Sequence, residues 1–398
     1  GWLSACSPIT QNTAQCATAE IRAWGKQLFR RPINDDELTR YFNFWYDIAI
    51  EDGFTEGMKW TLTAIFQSPH FLYRSELGYH QGSGTYSLSP HEIASQLSYT
   101  LTGNPPDEAL MGDADNGTLG QSTTLESHAQ RLVQSQGASD QFWHFMQEWL
   151  ALDQLDLVVR SFDVYPELTW AIRGDMAGQA QRLAQHSFAT NAGLSDLLTS
   201  SKSWVTDELA AFYEIPPSDS TPDAEGFKEI TLPNNYAGGV LATGAILTTH
   251  ALSNSSSPIH RGLLVRERLL CHELLPPPDN LDTSPPEMSP NLSTRERYSQ
   301  HATDTACNSC HRLIDPIGFA FEHFDGIGRY RETDGVHSID DSGEIVASVQ
   351  TDGVIDGVIG LNTKLATSQE VQDCFIQQWT TYLWGLAEDP TLESSLHQ

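Results

Sequence analysis

The sequence predicts a mainly α, multi-domain helical body with a small β-hairpin towards the C-terminal end. Three observations carry that expectation. Apolar residues recur at helical spacing through most of the chain. Strong start and stop signals bracket those runs. At 398 residues the chain is long enough for two or three cores.

Taken in order, residues 18–50 read as helix, with Ile21, Trp24 and Leu28 and then Leu38, Tyr41, Phe42 and Trp45 on repeating faces. Arg30-Arg31-Pro32 interrupts the run, and Asn34 or Asp35 can cap the next helix. A second helical stretch spans 57–77. Gly82-Ser83-Gly84 is a flexible joint and marks a boundary, giving an N-terminal helical domain over 1–82. Ser89-Pro90-His91-Glu92 is a helix start: Ser89 caps, Pro90 takes the first position and Glu92 completes a capping box. Helices are expected over 125–133 and 142–150, where Phe142, Phe145, Met146, Trp149 and Leu150 form one stripe. Such a stripe is core rather than a cofactor box. Pro166 is expected to open a long helix to about Phe188, and a short helix is expected over 207–213.

Pro216 to Pro222 is a linker by composition and closes a central helical domain over 83–222. Residues 223–290 comprise a small, apolar buried helix over 237–248, a basic helix over 258–270 and the stiff Pro276-Pro277-Pro278 spacer. Residues 294–306 read as helix, Asp315-Pro316-Ile317-Gly318 as a turn, and Asp325 to Gly328 as another. The Asp- and Gly-rich stretch 333–357 suggests the hairpin. Val371 to Leu386 reads as an amphipathic helix with Ile376, Trp379, Leu383 and Leu386 on one face.

Lys plus Arg total 22 against 52 Asp plus Glu, a net charge of −30. That balance argues against nucleic acid and anionic membrane surfaces as partners. It favours solubility and a basic partner, although surface solvation is the plainer explanation. No apolar run reaches the length of a membrane span. The chain opens Gly1-Trp2-Leu3 without methionine, which suggests a processed chain whose targeting segment has been removed.

The most specific motif is Cys307-Asn308-Ser309-Cys310-His311. Two cysteines one helical turn apart, followed at once by histidine, is the attachment signature of a c-type haem. Both thiols can add to the vinyl groups on one porphyrin edge, and His311 can bring its imidazole under the iron as proximal ligand. A zinc knuckle would need a second ligand pair, and no other Cys-x-x-Cys or His-x-x-x-His occurs. A redox dithiol would be expected beside a βαβ pattern, which is absent. Residues 291–398 therefore read as a C-terminal cytochrome c-like domain holding one covalent haem c. Outside the motif the chain has Cys6, Cys16, Cys271 and Cys374. Covalent haem attachment takes place outside the cytoplasm, where disulfides persist, so a periplasmic or extracellular location is expected. Cys6–Cys16 with Cys271–Cys374 is the preferred of three possible pairings.

Phe29-Arg30-Arg31-Pro32, Ser68-Pro69-His70-Phe71-Leu72-Tyr73-Arg74, Ser257-Pro258 with Arg261-Gly262, and the Pro276–Pro278 run look like successive landmarks of one family. Cys307-x-x-Cys310-His311-x-x-x-Asp315-Pro316-x-Gly318-Phe319 and Glu322-His323-Phe324-Asp325-x-x-Gly328-x-Tyr330-Arg331 continue the pattern. The chain resembles a group of secreted c-type cytochrome-like proteins of planctomycetes and myxobacteria, assembled from consecutive domains of unknown function. The resemblance covers nearly the whole chain. It implies a mostly helical, exported, haem-bearing protein but no established reaction, and it places a histidine at His301.

A reaction depends on the sixth iron ligand. A strong ligand makes an electron carrier, and an open position makes a peroxidase- or oxidase-like site. His301, Met288 and His323 are the candidates, with a core role the simpler reading for His323 and gap-filling for Met288. Arg312, Arg329 and Arg331 can pair with haem propionates. Asp334, Asp340, Asp341 and Glu344 lack calcium-loop spacing and read as a solvated acidic surface. The leading expectation is an exported monohaem cytochrome that exchanges one electron with a redox partner protein. The alternatives are a haem peroxidase or oxygenase with an exchangeable sixth position, and a homo-oligomeric extracellular assembly of haem-bearing subunits.

Overall fold

A computed structural model describes residues 13–82, 84–233, 236–276, 284–299 and 305–385. The chain divides into two compact units, Gly1–Ala138 and Ser139–Gln398. It is mainly helical, with four small antiparallel two-stranded sheets among the described residues. No described helix is long and apolar enough to cross a membrane.

In the first unit, α1 (Thr13–Phe29), α2 (Asp35–Asp52), α3 (Phe54–Phe66) and α4 (Pro69–Leu72) enclose Ile21, Trp24, Trp45, Met58 and Ile65. The interruption after α1 has a cause. Asn34 caps α2 in a reciprocal box with Glu37, whose carboxylate also takes both Arg31 terminal nitrogens at 2.7 and 2.9 Å. The glycines at 82 and 84 flank the connection of a hairpin, β1 (Tyr79–Gly82) with β2 (Thr85–Ser87). α5 (Pro90–Thr102) starts at the Ser89–Glu92 box and stops at Gly103, whose φ of 67° suits glycine. α6 (Glu108–Asp115) and α7 (Ser122–Val133) pack with it around Ala94, Leu110, Leu119 and Leu132.

In the second unit, α8 (Gln136–Trp149) contributes the expected stripe from Phe142 to Trp149. α9 (Trp170–Ala189) begins later than Pro166, because Thr169 accepts the Ile172 N–H as the cap. Then come α10 (Gly193–Thr199), β3 (Lys202–Val205), α11 (Asp207–Phe212) and β4 (Lys228–Thr231). β3 pairs with β4 across the Pro216–Pro222 stretch, so that stretch joins parts of one unit. α12 (Gly244–Thr249) is buried, as its small apolar composition predicts.

α13 (Pro258–Leu263) continues into a wider π-helical segment, Leu264–Leu269. The expected basic helix is there, but Arg261 and Arg266 are each only 1% exposed. Arg261 donates to backbone carbonyls inside the protein, and Arg266 to the Val346 carbonyl and to His272 Nδ1. The expected single helix over 294–306 is two helices, α14 (Thr294–Ser299) and α15 (Thr305–Gly318), with 300–304 outside the described residues. The 333–357 stretch forms two hairpins: β5 (Thr333–Asp334) with β6 (His337–Ser338), and β7 (Ser342–Ile345) with β8 (Gly353–Asp356).

α16 (Gly357–Ala366) and α17 (Gln369–Trp384) close the unit. The inward face of α17 is Val371, Cys374, Phe375, Trp379 and Tyr382, rotated from the expected one; Ile376 is 38% exposed. Aromatic packing sets that rotation: Phe145 lies 4.6 Å from the Trp379 ring and 5.6 Å from Phe375. Cys271 and Cys374 form the preferred disulfide, linking residues 103 apart in sequence. Cys16 is disulfide-bonded, and Cys6 lies outside the described residues.

Candidate functional site

The haem-type motif occupies α15, which the expected turn at Asp315-Pro316 does not end. Proline inside a helix removes one hydrogen bond and costs about 3 kcal/mol. Tertiary packing offsets that cost. α15 is clamped by backbone on two sides, where a Cβ on Gly318 would overlap the Pro258 carbonyl and a Cβ on Gly343 would overlap that of Pro316. Only glycine permits approaches this close.

The continued helix has a chemical consequence. Cys307, Cys310, His311 and Ile314 share one face at spacings of three and four. His311 also has Asp315 one turn further on, at i+4. The His311 Nδ1–H donates to the Asp315 carboxylate, 3.1 Å from Oδ1 and 3.0 Å from Oδ2. A carboxylate only accepts, so this bond puts the proton on Nδ1 and makes Nε2 the unprotonated nitrogen of the neutral ring. The side chains of His311 and Asp315 are 17% and 8% exposed. The hydrogen bond to Asp315 holds the imidazole above its ordinary value of 6.5.

Cys307 and Cys310 are free, half-buried thiols, whereas Cys16, Cys271 and Cys374 are oxidised. The donor set therefore fits a covalent haem: two available thiols one turn apart, and a histidine whose far nitrogen is already anchored. Among the described residues no three His, Cys, Asp or Glu side chains converge to hold a bare metal ion.

The other candidates fall elsewhere. His301 lies outside the described residues. Met288 is 55% exposed, and its sulfur accepts from Arg297 Nη1 at 3.1 Å. His323 is half-buried, donates through Nδ1 to the Arg331 carbonyl at 2.8 Å, stacks on Tyr330 at 5.1 Å and has Asp341 3.8 Å from Nε2. Arg329 pairs with Asp325 and Glu167, and Arg331 with Glu322 and Asp334, so both are committed within the protein. Asp334 takes the Thr294 hydroxyl at 2.8 Å and Asp340 the Ser342 hydroxyl at 2.5 Å.

The Glu322–Arg331 motif is a scaffold. Phe321 and Phe324 are each 1% exposed, and the Asp325 carboxylate accepts the backbone N–H groups of Ile327 and Arg329, each at 2.9 Å. Arg261 threads beneath, donating to the carbonyls of Phe321, Phe324, Asp325 and Leu247 at 2.6 to 3.1 Å. Two roles are not evident from the sequence: Asp315 as the histidine's partner, and Arg261 as the core of the loop. The His-x-x-x-Asp spacing is the available signal for the first. The proline after it points to a turn instead.

No curated protein and no solved structure matches the chain. Residues 16–76 match PSD5, described as a protein of unknown function (DUF1595). Residues 88–215 match PSD4, a protein of unknown function (DUF1592), and residues 237–334 match PSCyt3, a protein of unknown function (DUF1588). The last match contains α13, α15 and the Glu322–Arg331 loop. Three such matches, consecutive and in this order, are the pattern of a planctomycete-type multi-domain family.

Proposed function

We propose that this protein is an exported monohaem c-type cytochrome that exchanges single electrons with a redox partner protein. The observation that supports this most is the α15 face: two free thiols one turn apart beside a histidine already bonded through Nδ1. Cys307 and Cys310 would hold the haem by thioether bonds, and His311 would ligate through Nε2. When bound, the haem supplies a one-electron Fe(III)/Fe(II) couple. The chain's own residues do the rest. Asp315 orients the imidazole, while the clamp on Gly318 and Gly343 keeps α15 from shifting. The acidic surface favours a basic partner.

A second reading is an oxidoreductase with an exchangeable sixth position. The carboxylate behind His311 favours it, because an electron-rich proximal ligand supports chemistry at the iron's other face. The optical spectrum of natively matured protein separates the two. A low-spin reduced spectrum unmoved by carbon monoxide supports the carrier. A high-spin spectrum that shifts with carbon monoxide or peroxide supports the oxidoreductase, and no Soret band at all removes both.

A further inference from the structure

We propose that Asp315 is a positioning residue that sets the reduction potential of the iron by holding the Nδ1 proton of His311. The inference rests on the haem reading above and goes beyond it, because the thiol–histidine motif itself says nothing about what stands behind the histidine. The carboxylate lies within 3.1 Å of Nδ1 through both oxygens, and Asp315 is 5% exposed. Low exposure strengthens the bond, since little water competes for either partner. Donation to a carboxylate makes Nε2 a stronger donor than donation to a neutral carbonyl does. A stronger donor stabilises Fe(III) over Fe(II) and lowers the midpoint potential. The pair is part of the fold: α15 passes through Pro316, which keeps Asp315 one turn below His311, and the backbone clamp holds that turn in place.

The test is a spectroelectrochemical titration of natively matured wild-type and Asp315→Asn protein, with covalent haem first measured on each denatured chain. The Asn variant keeps the shape but replaces the charged acceptor with a neutral one. The expected result is equal haem content and a midpoint shifted to higher potential. Equal haem content with an unchanged midpoint overturns the role of Asp315 while leaving the haem reading intact. Wild-type protein without covalent haem overturns both. Should the Asn chain fail to mature, proton NMR of the oxidised wild-type protein decides. A hyperfine-shifted Nδ1 proton that exchanges slowly with deuterium supports the buried carboxylate bond, and complete exchange at the first spectrum overturns it.

Discussion

The two units both build histidine–aspartate pairs, to different ends. In the first unit His128 Nε2 meets Asp113 at 2.8 Å, and Arg131 donates to His128 Nδ1 at 3.1 Å. Both ring nitrogens are spent, and the proton sits on Nε2. His91 likewise meets Asp115, which Lys26 also contacts. These pairs tie α5, α6 and α7 and the end of α1 together. At His311 in the second unit the bonded atom is Nδ1, the aspartate is on the same helix, and two thiols outside any disulfide stand one and four residues before the histidine. A histidine–carboxylate bond is therefore not a site by itself. Which nitrogen it uses, and what chemistry stands beside it, decide whether the histidine can ligate.

Substitutions can break that comparison, starting with the largest effect. Changing Cys307 and Cys310 together to Ala is expected to abolish covalent haem, read as loss of the Soret band from the denatured chain. His128→Ala in parallel is expected to leave haem content at the wild-type level. Next is Arg261→Met, which strands four buried carbonyls. It is expected to destabilise the second unit by about 3 kcal/mol or more, seen as a lower denaturation midpoint. His128→Ala should itself weaken the first unit by about 1 kcal/mol, through its bonds to Asp113 and Arg131.

The smallest effect is a pH dependence. The hydrogen bond from His128, and after it that from Thr118, holds the Asp113 carboxyl below its ordinary value of 3.8. A lowered carboxyl contributes stability that is fully present above 3.8 and is lost as the pH falls through the lowered value. The melting temperature of the wild-type first unit should therefore fall more steeply below pH 4 than that of the His128→Ala chain. Parallel curves would show that the pair contributes nothing.

Much of the local structure is legible where one signal dominates. Ser89-Pro90 with Glu92 specifies a helix start through cap chemistry alone, and the Phe142–Trp149 stripe specifies a buried face. The motif cysteines are legible because their spacing is chemically narrow. The features that escape depend on residues distant in sequence. Pro316 reads as a helix stop until Gly318 and Gly343 let two backbones press against α15. Arg261 and Arg266 read only as the charges of a basic helix until their carbonyl partners, Phe321 60 residues and Val346 80 residues away among them, are in place. The face of α17 turns towards Phe145 and Trp149 because ring packing outweighs simple apolar periodicity. Strands of two to four residues carry too few alternations to register as strands at all.

The most direct measurement is the intact mass, under denaturing conditions, of the protein isolated from its native source. The expected mass is that of the polypeptide plus one haem, carried on the peptide containing Cys307 and Cys310. A mass equal to the polypeptide alone, with those two thiols open to alkylation, would contradict the central claim.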